Sequence, residues 1–121
     1  MKKIKIAMMG TIGIICFSLI MLITLHQING MFIISTNPEK IIATQSFNEV
    51  DNRSTMGITG KGFDEQSTIY INDIPQPTTF GSSQFLTCFV DRELYEEETT
   101  LKIQVKGNDR VSNKYKIKVY K

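Results

Sequence analysis

The sequence predicts an all-β domain, an Ig-like β-sandwich of about seven strands, preceded by one N-terminal transmembrane helix. Three observations predict it. Residues 6–25 carry no charge and follow three lysines. Beyond residue 36, apolar side chains recur with a period of two, in short runs rich in Ile, Val, Thr, Phe and Tyr. Gly, Asn, Asp and Pro punctuate those runs, and no helical period outlasts two turns.

The uncharged run accounts for the helix. At ~1.5 Å per residue its length is about 30 Å, the thickness of a bilayer's hydrocarbon. As a helix it satisfies its own backbone, as lipid demands. Lys2, Lys3 and Lys5 precede it, and Glu39 is the first formal charge after it. That asymmetry places the N-terminus in the cytoplasm and exports the remainder. The run is longer than a secretory signal core, and Ile28 before Gly30 makes a poor cleavage site. No lipobox precedes Cys16. The run therefore reads as an uncleaved signal anchor, with secretion after cleavage as the alternative. The expected organisation is a cytoplasmic N-terminus (1–5), an anchor (6–25), a juxtamembrane linker (26–36) and the sandwich (37–121). Residues 31–34 read either as an interfacial continuation of the apolar run or as a first strand.

Strands follow along the domain. Residues 40–44 are the first candidate. In 55–59, Met56 and Ile58 point inward, and Gly60-Lys61-Gly62 stops the run. Ile69 and Ile71 share a face, and Asn72-Asp73 forms a turn. Pro75 and Pro77 relegate the next segment to an edge. Residues 85–90 are apolar on both sides, as in a central strand. Leu101, Ile103 and Val105 alternate with Lys102, Gln104 and Lys106. Tyr115, Ile117 and Val119 alternate with Lys114, Lys116 and Lys118, and Gly107-Asn108-Asp109 turns between these two runs. Each strand offers one apolar face, so two sheets are needed to cover both.

Composition narrows the function. The chain has 121 residues, enough for one domain and an appendage. Its net charge is +2, but removing the three N-terminal lysines leaves 11 Lys+Arg against 12 Asp+Glu, or −1. A near-neutral exported domain gives no case for nucleic acid binding. There is one His, at position 26, and no Trp. Cys88 lies in an apolar strand, far from His26, so a buried thiol is expected in place of a nucleophile. Cys16 lies in the apolar run, which precludes a disulfide between the two. Glu93, Glu96, Glu97 and Glu98 lack the alternating oxygen order of a calcium loop. No cofactor or metal is expected, and no enzyme chemistry.

Gly57-Ile58-Thr59-Gly60-Lys61-Gly62-Phe63 resembles the glycine-rich signature of IPT/TIG domains, the Ig-like, plexin and transcription-factor family. Asn37-Pro38 resembles the family's opening proline, and Ser67-Thr68-Ile69-Tyr70-Ile71-Asn72 its next strand, with Asp73 at a common glycine position. Val111-Ser112-Asn113 is similar to the segment before its final strand. The resemblance spans about residues 37–120. The glycines fit a tightly packed corner, with Phe63 plugging the sandwich end. Asp91-Arg92-Glu93 departs from the family's pattern after the central strand. The Lys- and Ile-rich composition and the compact export signal point to a bacterium, and the resemblance implies a non-catalytic module of the kind bacterial members form in cell-surface and carbohydrate-active proteins.

The expected function is a membrane-tethered, extracytoplasmic module that binds a surface glycan or protein. The alternative is a spacer subunit assembled into a membrane complex through its helix. Candidate ligand-binding residues are Tyr70 and Tyr95, as exposed aromatics alongside Tyr120, and the lysine stripe Lys114, Lys116 and Lys118. Oligomeric state does not follow from the residues.

Overall fold

Alternating sequences bury one face only when strands pair, and the chain pairs them in two sheets. The computed structural model describes residues 30–121. The expected cytoplasmic segment, the anchor and residues 26–29 of the linker lie outside them. Among the described residues, no helix is long and apolar enough to cross a membrane.

Ten strands follow in chain order: β1 (Phe32–Asn37), β2 (Lys40–Ile42), β3 (Thr55–Lys61), β4 (Thr68–Ile71), β5 (Ile74–Pro75), β6 (Thr78–Ser82), β7 (Phe85–Phe89), β8 (Thr99–Gly107), β9 (Arg110–Val111) and β10 (Tyr115–Tyr120). A single 3-10 turn, Arg92–Tyr95, interrupts them. One sheet runs β1-β3-β7-β6. The other runs β2-β10-β8-β4-β5, with β9 paired to β8. β2 lies parallel to β10, and the other strand pairs are antiparallel.

The expected inward residues meet between the sheets. Met56, Ile58, Ile69, Ile71, Leu86, Leu101, Ile103 and Val105 are fully buried. Each contributes about 1.5–3 kcal/mol of burial. Cys88 is buried among them, and its thiol is pushed up to about 12 by that burial. Pro75 falls in a two-residue edge strand, where its missing N–H costs no ladder bond.

The sandwich starts earlier than the sequence indicated. Residues 31–36 are not linker: Met31 and Ile33 are buried in the core, and β1 pairs with β3. β1's outer side is closed by an amide. Ile33 N–H donates to Asn113 Oδ1 at 2.6 Å, and Asn113 Nδ2 donates to the Ile33 carbonyl at 3.1 Å. Asn113 thus replaces a missing neighbour strand and ties β1 to the segment before β10.

The glycine-rich corner has a steric cause. A side chain on Gly60 would collide with the Phe32 carbonyl and stand 2.6 Å from the Phe63 ring. Gly62 has φ +78° and faces the Gly30 carbonyl. Phe63 is buried and closes that end of the sandwich, as expected. At the β4–β5 hairpin, Asn72 (φ 52°) and Asp73 (φ 66°) both adopt the left-handed conformation of a tight primed turn.

Candidate functional site

Pairing places charge on one side of the molecule. No strand contains Asp or Glu: all 12 acidic residues lie in turns, loops or the 3-10 turn. The strands of the β1-β3-β7-β6 sheet carry one charge, Lys61. Those of the other sheet carry Lys40, Lys102, Lys106, Lys116 and Lys118, and Arg110 on β9.

The five lysines share the outer face of their sheet, because the core takes the alternate positions. Lys118 is opposite Lys40, and Lys116 is opposite Lys102. Lys106 is opposite Thr68. Tyr70 lies on the same face, half-buried, in register with Gln104. The Lys106 ammonium is 4.5 Å from the Tyr70 ring centroid. At the far end, Lys40 and Lys118 each stand 5.9 Å from the centroid of Tyr120. These cation–π contacts orient the ammonium groups without neutralising them. No face lysine joins an ion pair; among the described residues the one pair is Arg110 with Asp64, at 2.6 Å. The Gln66 backbone N–H, with help from Arg110, holds the Asp64 carboxyl below its ordinary range.

Of the sequence-predicted residues, Tyr70, Lys116 and Lys118 come together on this face. Lys114 is exposed one residue before β10. Tyr95 is a correction: it is 3% exposed and not a surface aromatic. Its hydroxyl shares a 2.8 Å hydrogen bond with Ser54 Oγ, and its ring meets Phe47 edge-on with centroids 5.0 Å apart. Its carbonyl also accepts from Thr44 N–H. Tyr95 therefore pins two loops to the end of the sandwich, where solvent and ligand do not reach its ring.

Sequence reasoning missed Lys40, because its place on the face depends on a parallel pairing with β10 from across the chain. It also missed the exposed aromatic of the opposite sheet. Phe85 is 42% exposed and lies over Gly57 and Gly81, where an added Cβ would come within 3.2 Å and 3.0 Å of its ring. Two glycines beside an aromatic in neighbouring strands were the signal available.

The glutamates gather at the end of the sandwich near Tyr95. Glu96, Glu97 and Glu98 line an open cleft with Thr44, Gln45 and Lys121. Among the described residues, no group of three or more His, Cys, Asp or Glu is placed to hold a metal ion.

The chain matches no curated protein. A family model described as the TIG domain matches residues 40–120, which takes in every strand from β2 to β10. The two-sheet fold, the glycine corner closed by Phe63 and this match together establish that the chain belongs to the TIG domain family.

Proposed function

We propose that the chain is a non-catalytic binding module, tethered by residues 6–25 to the outer side of the cytoplasmic membrane, whose lysine–tyrosine sheet face holds an anionic surface glycan. One observation carries the reading: five lysines on one acid-free sheet face, none in an ion pair. Lysines placed only to discourage edge pairing belong on edge strands. Here four of the five stand on β8 and β10, which have neighbours on both sides. A flat cationic surface concentrates a polyanion through summed weak contacts rather than through a pocket.

Binding of the full chain, held in a non-ionic detergent, to dextran sulfate and to neutral dextran tests this. The reading predicts binding of the sulfated polymer that weakens steadily with salt, and none of the neutral polymer. Equal binding of both polymers, or of neither at low salt, would contradict it.

A further inference from the structure

We infer that the outer face of the β1-β3-β7-β6 sheet packs against the same face of a second copy in the same membrane, with the Phe85 rings at the centre. The pairing is independent of the glycan and rests on the tether proposed for residues 6–25.

The face has the composition of an interface core. Strand β3 turns Thr55, Gly57 and Thr59 outward, and β7 turns Phe85, Thr87 and Phe89 outward beside them. The one charge on the strands of this sheet, Lys61, stands at the end of β3. Interface centres are depleted of charge and enriched in aromatic rings. A two-fold contact brings a patch against itself, so an uncharged centre meets no like-charge repulsion.

Phe85 supplies the centre. A Cβ added to Gly57 would stand 3.2 Å from ring atom Cε1, and one added to Gly81 would stand 3.0 Å from Cδ2. Those two atoms lie across the ring from each other, and the two glycines lie on the strands either side of β7. The ring therefore lies flat across the sheet, with one side on the glycines and the other toward solvent. It is 42% exposed. A ring held this way offers an open face for an offset stack on a second ring.

The tether selects a second copy as the occupant. Gly30 lies against Gly62, at the same end of the sheet as Phe85. The chain from residue 25 to residue 30 spans at most about 18 Å. That end of every copy is thus held close to the bilayer. A two-fold axis parallel to the strands puts both Gly30 ends on one side, as a shared membrane requires. It also leaves the two lysine faces pointing away from each other, open to polymer. Four strands ~4.8 Å apart and about six residues long present roughly 400 Å² per copy. A stable interface takes about 800 Å² from each partner. The pair is therefore weak in dilute solution and forms where the membrane concentrates the copies.

The test uses the full chain with Cys16→Ser, reconstituted in phosphatidylcholine vesicles, and a bismaleimide spanning about 10 Å, the spacing of stacked sheets. Thr59→Cys on the paired face is expected to cross-link to a dimer at least about 5-fold faster than Thr100→Cys, because pairing raises the effective concentration of one cysteine near the other. Thr100 lies beside Lys118 on the lysine face. Adding Phe85→Glu or, separately, Thr87→Glu to the Thr59→Cys chain should slow it to the Thr100→Cys rate, since like charges then meet across the axis. Circular dichroism checks that each variant is folded. Equal rates at positions 59 and 100 in chains that float with the vesicles overturn the pairing and leave the tether standing. Full-rate cross-linking in either folded glutamate variant overturns the assignment of this face. Failure to float with the vesicles overturns the tether, and the pairing with it.

Discussion

The two outer faces of the sandwich are built on the same alternation and differ in what fills the outward positions. The β2-β10-β8-β4-β5 face presents five lysines and two tyrosines whose rings stand within cation–π reach of ammonium groups. The β1-β3-β7-β6 face presents threonines, glycines and Phe85, with Lys61 as the single charge among its strands. The buried sides of both sheets serve one core, so folding does not require the outward difference. Five like charges on one face repel one another, at a modest cost in water that salt reduces. The lysine arrangement is thus the part of the structure that stability does not explain, and it is where the function is assigned.

Charge reversal should separate the faces most sharply. Lys102→Glu, Lys116→Glu and Lys118→Glu together should lower affinity for dextran sulfate by roughly a thousand-fold at about 0.1 M salt, since three attractions become repulsions. Thr59→Glu and Thr87→Glu on the opposite face should change it less than about two-fold, because a Debye length of ~10 Å screens one face from the other. Titration by fluorescence anisotropy measures both, and comparable losses would erase the distinction.

Next in size is a purely structural change. Gly60→Ala forces a methyl against the Phe32 carbonyl and the Phe63 ring. It should cost about 3 kcal/mol in denaturant unfolding. The remaining folded protein should bind the polymer with unchanged affinity, because the corner is outside the lysine band.

Tyr95→Phe removes one buried hydrogen bond, to Ser54. A loss of about 1 kcal/mol is expected, again with affinity unchanged. A binding defect in this variant would return Tyr95 to the ligand-binding residues. At neutral pH the smallest effect belongs to Cys88. Its folded thiol titrates at about 12 against an ordinary value of 9.0. Between those values the unfolded chain holds fewer protons, so this group's contribution to stability falls as pH rises through that window and is unaffected below it. At neutral pH, alkylation of Cys88 should follow global unfolding; rapid labelling of the native protein would show that the thiol is accessible.

The fold was legible where its signals were local. Alternation in 55–59, 101–105 and 115–119 identified strands and their inward residues without reference to any partner. The glycine corner and Phe63 followed from one short motif. The site was only half legible. Lys116 and Lys118 could be assigned one strand face from their spacing, but Lys40 joins them through a parallel pairing that no local pattern encodes. Tyr95 misled for the same reason. Beside four glutamates it reads as exposed, and its burial depends on Phe47 and Ser54, brought to it by another loop. Met31 and Ile33 read equally as the tail of an apolar run or as a first strand, and the pairing of β1 with β3 decides for the strand and draws them into the core.

Lysine footprinting tests the central claim most directly. The full chain is reductively methylated with and without dextran sulfate, and the rate at each lysine is read by mass spectrometry. The account predicts strong protection of Lys40, Lys102, Lys106, Lys116 and Lys118, with Lys61 reacting as in the free protein. Protection centred on Lys61, or spread evenly over all exposed lysines, would contradict it.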